Sequence, residues 1–351
     1  KQIPNRGKTL KEIMHTPVAN GDIKIIPNYF DKTYFHWIDN LRDWCISRQI
    51  WYGHRLPVWY RSTDAHGKLN QEIYCGINAP EGDGWEQDQD TLDTWFSSGT
   101  WTFSTLGWPE KTKDLENYHP TSVINPGYEI LFFWVARMIL MSQYLLDDIP
   151  FKTVYLHGIL RDAKGQKFSK SLGNGVDPIE IINEYGADAL RMSMVVGIGP
   201  GMDSKFDIQK VKAYSKFANK MWNASRFVLE QIKDFQIEEN PNYDEEDKKS
   251  DEDLKKLIIE ITKEMDEYKF YIVSEKLYHY FWHTFADIII ERSKKKIIEN
   301  QNPESAKMIL YTHLTTLLKL LHPFMPFVTE ELWSIINKDD KRLLMVEKWP
   351  I

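Results

Sequence analysis

The sequence predicts an α/β region up to residue 204 and an α-helical bundle from residue 205 onward. Three observations predict this fold class. Residues 151–158 have the pattern of a strand and lead through a loop into a strong helix start, which is the element order of an α/β domain. Helical periodicity dominates the chain after residue 205, as in a helical bundle. The acidic, proline-containing residues 238–253 have the composition of a linker or exposed loop.

The first part of the chain alternates between irregular and helical patterns. Residues 1–30 look irregular, because prolines and an Asn-Gly turn interrupt them. Residues 31–50 carry apolar side chains at helical spacing and predict a helix. Residues 62–90 are polar and rich in turn residues, which is typical of a surface insertion. Residues 127–147 predict a helix that is buried over its apolar stretch.

The sequence marks the start of a helix after the loop at Asp177. Asp177 is a suitable N-cap, Pro178 suits the first helical position, and Glu180 suits the third. Gly186 is placed to end that helix. Periodicity then predicts the bundle helices at residues 207–233, 251–271, 273–299, 304–322 and 326–337.

Composition sets limits on the function. The 351 residues are 42% hydrophobic and 27% charged, which is typical of a globular protein, and the net charge of −7 argues against a wholly basic nucleic-acid binder. Cys45 and Cys75 form no Cys-x-x-Cys pair, so we expect reduced, buried thiols, no zinc site and a cytoplasmic location. The longest apolar run, residues 130–141, is too short to span a membrane.

The most informative segment is Lys167-Phe168-Ser169-Lys170-Ser171, on the loop after the predicted strand. Activation of a carboxylate by ATP expels pyrophosphate, and lysines at the leaving oxygens stabilise the transition state more than the ground state. Lysine is a compact charge on a mobile stem, which suits a loop that closes over a substrate. Without its context the same string is also compatible with a solvated surface turn.

This segment resembles the second signature of the class I aminoacyl-tRNA synthetases, Lys-Met-Ser-Lys-Ser, with Phe168 in place of Met. Four further segments resemble the valine-specific branch of that family, residues 43–59, 92–98, 105–109 and 132–138; the isoleucine-specific branch shares the Ser-Arg-Gln core of the first. Residues 217–227 and 322–326 resemble the anticodon-binding bundle of the family. All these segments occur in colinear order, and the resemblance covers about residues 28–350.

The resemblance implies a partial class I Rossmann-type nucleotide-binding domain followed by an α-helical anticodon-binding domain. Residues 1–30 would be the return from an editing insertion, residues 31–204 the second half of the catalytic domain, and residues 205–351 the anticodon-binding domain. The first signature of the family, His-Ile-Gly-His, does not occur in the sequence. We therefore expect a piece of a longer polypeptide that lacks the first half of the catalytic domain and most of the editing domain.

The resemblance also implies site residues. Lys167 and Lys170 would stabilise pyrophosphate. The expected ATP contacts are His157, Gly158, Gly127, Glu129, Lys167, Phe168, Ser169, Lys170 and Ser171. Each has an alternative: the serines could shape the loop, Gly158 could serve packing, and Glu129, where the family usually has Asp, could compensate a helix dipole.

Two further sets of residues are candidates for the amino acid and the tRNA. Tyr52, Leu92 and Trp95 would wall an apolar valine pocket, although any one tryptophan could belong to the core. The expected tRNA-binding residues, read as a basic run on the first bundle helix, are Lys205, Lys212, Lys216, Lys220 and Arg226. A solvated helix face is the alternative for this run, and it is favoured for the second basic cluster at residues 292–296.

The implied reaction is ATP-dependent activation of valine and its transfer to tRNA(Val), with Mg²⁺ as part of the ATP substrate complex and no membrane. The missing half of the catalytic domain would be a partner, so we expect this chain alone to be inactive but to bind tRNA weakly. Three alternatives stay open: an isoleucine-specific enzyme, a tRNA-binding module without catalysis, and one subunit of a split synthetase.

Overall fold

The computed structural model describes residues 7–62, 71–233, 235–236, 242–337 and 342–350, with the side chains of all of these except Lys170. The chain divides into two compact units, Lys1–Gly158 (the first unit) and Ile159–Ile351 (the second unit).

The first unit combines helices with two kinds of sheet. Its strands are β1 Lys24–Ile26, β2 Ser47–Arg48, β3 Val58–Ser62, β4 Gln71–Cys75, β5 Glu86–Gln87, β6 Thr91–Leu92, β7 Thr121–Ile124 and β8 Phe151–Tyr155. Its helices are α1 Leu10–Ala19, α2 Phe30–Asp39, α3 Thr94–Ser98, α4 Trp101–Ser104, α5 Lys113–Tyr118 and α6 Ala136–Leu145, the last preceded by a 3₁₀ turn at Tyr128–Ile130 and a π-helical turn at Leu131–Val135.

A parallel sheet in the order β1-β8-β7 forms the centre of the first unit. Val154 of β8 pairs with Ile25 on one side and with Ile124 on the other. These three side chains are buried in the same core as Val135 and Ile139. Burial of apolar side chains from the sheet and α6 in one core therefore positions the carboxyl ends of β7 and β8.

The first thirty residues are not irregular, so that prediction is wrong for residues 7–30. Thr9 and Glu12 form a reciprocal capping box that starts α1, and the helix accommodates Pro17 near its end. The predicted helix at 31–50 is too long. It ends at Asn40, whose backbone and side-chain N–H groups both donate to the carbonyl of His36.

The predicted insertion at residues 62–90 contains strands. β3 pairs antiparallel with both β4 and β5, giving a small sheet in the order β4-β3-β5. β4 lacks the alternation by which a half-buried strand is recognised, because all five of its residues are exposed.

The second unit begins with two short strands and continues as helices. The strands are β9 Leu160–Arg161 and β10 Ser204–Lys205. The helices are α7 Pro178–Tyr185, α8 Ala187–Val195, α9 Ile208–Gln231, α10 Glu245–Asp266, α11 Phe270–His279, α12 Ile290–Ile298, α13 Pro303–Leu321 and α14 Pro326–Ile336, with a 3₁₀ turn at Lys170–Leu172, a π-helical stretch at Tyr280–Ile289 and a 3₁₀ turn at Leu344–Val346.

The helix start at Asp177 and the end at Gly186 are confirmed. The Asp177 carboxylate accepts from the N–H of Ile179 at 2.8 Å, and Gly186, with φ 88°, both ends α7 and precedes α8. The bundle helices lie within a few residues of the prediction. One exception is α10, which begins at Glu245, inside the predicted linker, because the Asp244 side chain caps it.

The apolar core of the second unit joins α8 to the bundle. Ala189 and Met192 of α8 are buried in the same cluster as Phe217 and Leu317. Asp188 adds a polar link, because its carboxylate accepts from the N–H groups at the start of α14, at 3.1 and 2.7 Å. α8 is therefore part of the bundle, although it precedes the predicted start of the bundle at residue 205.

Candidate functional site

The candidate phosphate-binding loop, residues Asp162–Asp177 (the signature loop), rises from β9. β9 pairs in parallel with β10, and Arg161 at its end also pairs antiparallel with Lys167. Between them the N–H of Gly165 donates to the carbonyl of Asp162 at 2.9 Å, and Gly165 has φ 83°, a conformation that favours glycine. The loop therefore opens as a tight hairpin.

One amide side chain lies at the centre of this hairpin. Asn174 Nδ2 donates to Asp162 Oδ2 at 2.9 Å and to the carbonyl of Lys167 at 3.3 Å. Asn174 Oδ1 accepts from the N–H of Ser169 at 2.9 Å. The beginning, middle and end of the loop are thus fastened together by a single residue.

The predicted phosphate-binding residues lie around this hairpin. Lys167 is exposed and Phe168 is half-buried, while the side chain of Lys170 lies outside the described part of the structure. The hydroxyls of Ser169 and Ser171 are 2.7 Å apart and hydrogen-bond to each other. That bond uses the hydroxyls within the loop, and phosphate binding by these residues stays a prediction.

Asp203 holds the base of the loop. Its Oδ1 accepts from the N–H of Ile159 at 2.8 Å, and its Oδ2 forms an ion pair with Arg161 at 2.6 Å. These bonds fix the strand from which the signature loop starts. Asp203 was not among the predicted site residues, because it lies 42 residues from Arg161 in the chain.

A second group of predicted residues meets at the carboxyl edge of the parallel sheet. Gly127, just after β7, forms a bridge with His157, just after β8, and the N–H of Tyr128 donates to the carbonyl of His157 at 3.1 Å. Glu129 is exposed in the helical turn that starts there. Parallel α/β sheets bind ligands at this edge.

The imidazole of His157 has a defined hydrogen-bond pattern. Its Nδ1 lies 2.8 Å from the carbonyl oxygen of Gly158. A carbonyl oxygen can only accept, so Nδ1 carries the proton and Nε2 of the neutral ring is an acceptor. The exposed His157 can therefore accept a hydrogen bond from a ligand hydroxyl or amine.

An aromatic cluster with a central arginine lies elsewhere in the first unit. The ring of Trp95 is 5.8 Å from that of Phe133. The Arg137 guanidinium lies 5.7 Å from the Phe133 ring and 3.6 Å from the Trp44 ring. Burial lowers the pKa of the Arg137 guanidinium, which still remains charged at neutral pH.

Asp93 organises the polar side of this cluster. Its carboxylate accepts from Trp44 Nε1 at 3.2 Å and forms an ion pair with Arg48 at 2.5 Å. Its other oxygen accepts from the N–H of Trp95 and so caps α3. The Asp93 residue is only 6% exposed, so these donors replace the water it loses on folding.

A cavity of about 950 Å³ opens beside Trp44. It is lined by Thr9, Leu10, Lys11, Met14, Trp37, Asn40, Leu41, Arg42, Asp43, Trp44, Cys45, Arg48, Arg137 and Leu140. The predicted pocket residues Tyr52, Leu92 and Trp95 are not in this lining, and Tyr52 is 87% exposed. Their role in a valine pocket stays a prediction.

Trp44 and Arg137 were missed as candidate site residues. Both lie in segments that carried the family resemblance, at 43–59 and 132–138, so a signal was present. In the sequence, however, Arg137 only interrupts an apolar run, and its contact with Trp44 depends on the fold.

The basic run lies mainly on α9. Lys212, Lys216 and Lys220 follow one another at a spacing of four residues on this helix, and Lys216 and Arg226 are exposed. Lys205 does not lie on the helix, so its predicted placement is wrong. It belongs to β10, because Asp207 caps α9 only after it.

Some of these charges have partners within the second unit. Lys220 pairs with Asp287 at 3.0 Å and lies 5.5 Å from the Trp282 ring. Lys212 lies 5.6 Å from the ring of Tyr185. Local neutralisation reduces the positive potential of the run at Lys220.

The second basic cluster takes part in a buried ion network. Asp247, with 0% of its surface exposed, accepts from Arg292 at 2.6 Å, from Lys296 at 3.1 Å and from Ser305 at 2.7 Å. Lys294, in contrast, pairs with exposed Glu291. Arg292 and Lys296 thus serve the packing of the bundle.

Metal-binding clusters and membrane-spanning helices are both absent from the described residues. Among them, no group of three or more His, Cys, Asp or Glu side chains is placed to hold a metal ion. Cys45 and Cys75 are free thiols, but both are exposed, so the prediction that they are buried is wrong. The absence of a zinc site stays a prediction. Within the same ranges, no helix has both the length and the apolar character that crossing a bilayer requires.

Family comparisons match both parts of the chain. Residues 6–207 match the model of the tRNA synthetases class I (I, L, M and V), and residues 247–351 match that of the anticodon-binding domain of tRNA ligase. The chain is 45% identical over 338 residues to the valine–tRNA ligase of Clostridium tetani, and 44% identical over 333 residues to that of Thermotoga maritima. These alignments cover 95% of this chain and 38% of each relative, so the chain spans less than half of their length.

Solved structures show the same fold at low identity. The LeuRS of Agrobacterium radiobacter K84, in a ternary complex with tRNA and LeuAMS, matches with a TM-score of 0.68 and 20% identity, over 90% of this chain and 44% of that one. The methionyl-tRNA synthetase of Mycobacterium tuberculosis, in complex with methionyl-adenylate, matches with a TM-score of 0.69 and 18% identity, over 93% and 60%.

The predicted fold class is confirmed: a Rossmann-like α/β catalytic fragment is followed by a helical anticodon-binding domain. The first family model alone covers more than half of the chain. The chain belongs to the class I tRNA synthetases of the I, L, M and V group.

Proposed function

We propose that this chain is part of a valine–tRNA ligase and contributes to the activation of valine and its transfer to tRNA(Val). One observation carries the proposal: a Lys-Phe-Ser-Lys-Ser loop stands on a fastened hairpin in a chain 45% identical to a valine–tRNA ligase. Residues 31–204 would be the second half of the catalytic domain, residues 205–351 the anticodon-binding domain, and residues 1–30 the return from an editing insertion.

In the first step, the carboxylate oxygen of valine attacks the α-phosphorus of ATP. The new O–P bond forms while the bond to the bridging oxygen breaks, and pyrophosphate leaves with its charge balanced by Mg²⁺ and by Lys167 and Lys170. Each lysine would stabilise charge that grows in the transition state, an effect typically worth about 10²–10³ in rate. In the second step, a terminal ribose hydroxyl of the tRNA takes the acyl group and AMP leaves.

The carboxyl edge of the sheet is the proposed place for the adenosine part of ATP. Gly127 and Gly158 have no side chain to block the nucleotide, and His157 Nε2 would accept from an amine or hydroxyl group. Glu129 would accept from the ribose hydroxyls. The pairing of Gly127 with His157 supports this assignment, because it places both loops at one edge.

Tyr52, Leu92 and Trp95 are proposed to wall the valine pocket. The packing of Trp95 against Phe133 and its backbone bond to Asp93 give that ring a fixed position. An apolar pocket of this kind excludes larger side chains but discriminates against threonine by only roughly 10².

Lys205, Lys212, Lys216, Lys220 and Arg226 are proposed to contact tRNA phosphates. Such contacts depend on salt and not on base sequence. The exposure of Lys216 and Arg226 supports the proposal for these two, whereas Lys220 would have to exchange Asp287 for a phosphate.

The test is ATP–pyrophosphate exchange, measured for this chain alone and for the complete polypeptide that includes the first half of the catalytic domain. We expect valine-dependent exchange by the complete polypeptide, and no exchange but weak tRNA binding by this chain. Isoleucine-dependent exchange would contradict the specificity. Binding of tRNA without exchange by the complete polypeptide would favour a non-catalytic module, and recovery of activity by mixing two separate halves would favour a split enzyme.

The lysines need a matched control. Alanine at both Lys167 and Lys170 should lower exchange by at least about 10², with the tRNA affinity little changed. Lys164→Ala removes an exposed charge from the same loop before the signature and should lower exchange far less. An equal loss in both would mean that the loop contributes only general positive charge.

A further inference from the structure

The amide of Asn174 has only one orientation that satisfies its surroundings. The carboxylate of Asp162 and the carbonyl of Lys167 can only accept, so the Nδ2 donor must face them. The N–H of Ser169 can only donate, so the Oδ1 acceptor must face it. An asparagine supplies both functions from one planar group, whereas an aspartate in its place would supply only acceptors.

The Asp162 carboxylate, which accepts the hydrogen bond from the Asn174 amide, is held by a second bond. Its other oxygen accepts from the N–H of Gln166 at 2.8 Å. The Asn174 hydrogen bond, followed by that of Gln166, lowers the pKa of Asp162, so the carboxylate is charged at neutral pH. A charged acceptor makes a stronger hydrogen bond than a neutral one.

Little else holds the far end of the loop. An added Cβ at Gly173 or at Gly175 would meet no atom within 4 Å, and Ser171 and Leu172 are exposed. Packing therefore does not order this segment in the way it orders a core. The conformation of the loop depends on polar bonds, and the Asn174 side chain makes three of them.

We propose that Asn174 is a positioning residue, a latch that closes the signature loop onto Asp162 and thereby sets where the phosphate-binding residues meet the nucleotide. The effect of the latch on catalysis rests on the proposed function, whereas the existence of the latch does not depend on that function. Release of the latch would let residues 168–173 move as one flexible segment, while Gln166 and Lys167 keep their bonds in the hairpin. The loop could then adopt other conformations before and after it binds a polyphosphate.

The test exchanges the donor and the acceptor. Asn174→Asp places two acceptors against Asp162 and removes the donor, with no change in size. The double variant D162N/N174D restores a donor opposite an acceptor and keeps acceptors for Gln166 and Ser169; only the bond to the Lys167 carbonyl is lost. Asn183→Asp, on the exposed face of α7, is the control for the same change of charge.

The first measurement is made on this chain and does not depend on its function. Amide hydrogen exchange at Ser169, and trypsin cleavage after Lys167, should both be about tenfold faster in N174D, the factor that corresponds to loss of one charge-assisted hydrogen bond. The double variant should recover most of the protection, and N183D should behave as the parent. Equal protection in N174D and the parent, or no recovery in the double variant, would overturn the latch.

The second measurement is ATP–pyrophosphate exchange by the complete polypeptide. N174D should raise KM for ATP and lower kcat, and the double variant should recover both in part. If protection changes while KM and kcat do not, the positioning role is overturned. If the parent itself shows no exchange, the proposed function fails, and the protection measurements alone decide whether the latch exists.

Discussion

Replacement of Lys296 by methionine should expose how much the buried ion network contributes to the helical unit. Lys296 is 8% exposed, and its Nζ lies 2.6 Å from Asp244 and 3.1 Å from Asp247. Methionine keeps most of the apolar stem and removes the ammonium. Asp247, which has no exposed surface, would then keep only Arg292 and Ser305 as donors.

The size of the effect follows from the burial of each partner. A hydrogen bond to a charged group contributes about 1.5–3 kcal/mol, and the bond to Asp247 counts in full because both groups are buried. The bond to Asp244 counts for less, because that side chain is 31% exposed. We expect a loss of about 3 kcal/mol, at the low end of the ~3–5 kcal/mol for breaking a buried pair.

Thermal unfolding followed by calorimetry is the assay. At about 2–4 °C per kcal/mol for a unit of this size, the transition of the second unit should fall by roughly 6–12 °C. Lys294→Met, on the same helix, breaks an exposed pair with Glu291 and a contact with the Phe227 ring at 4.8 Å, and should cost about 1 kcal/mol or less. Equal melting temperatures for the two variants would refute the reasoning, and a smaller salt dependence of tRNA binding in Lys296→Met would reassign this lysine to the RNA.

Three further outcomes are expected. Burial lowers the pKa of His313 to about 4, so the folded state binds fewer protons than the unfolded state between pH 6.5 and 4; acid should remove up to roughly 3 kcal/mol across that window, and an imidazole that titrates near 6.5 by NMR would contradict this. Asp203→Asn should keep the bond from Ile159 but lose the half-exposed ion pair with Arg161, with faster amide exchange at the base of the loop at a cost of about 1 kcal/mol; unchanged exchange would refute the anchor. Lys216→Ala should reduce the salt slope of tRNA binding by about 1, and an unchanged slope would remove this lysine from the interface.

Local sequence signals predicted the elements whose boundaries depend on a few neighbouring residues. Asp177 caps α7, Pro178 follows it, and Gly186 ends it, and each of these needs only its own segment of chain. The same holds for the bundle helices, whose apolar stripes recur at helical spacing. The prediction for the first thirty residues was wrong, because the prolines were given more weight than the Thr9–Glu12 capping box that starts α1.

The candidate site was predictable only where its residues are contiguous in the sequence. The signature loop could be located in the sequence, but its fastening by Asn174 to Asp162 could not, since an asparagine in a loop has many possible partners. Asp93 and Arg48 are 45 residues apart, and their ion pair depends on the antiparallel pairing of β2 with β6. Contacts of this kind are products of the fold, which spacing along the chain does not reveal.

The glycine between α7 and α8 is a hinge for α7, the helix that follows the signature loop. A single residue, Gly186, separates the two helices, so its two dihedral angles set the direction of α7 relative to α8, and Ile181 and Tyr185 pack α7 against the bundle core. Eight helical residues make an arm of about 12 Å, and a rotation of roughly 10° at the glycine would carry the far end through about 2 Å. A bulkier residue there would stiffen the hinge and penalise the positive φ, while the fixed end of the arm stays clamped in the bundle through Asp188.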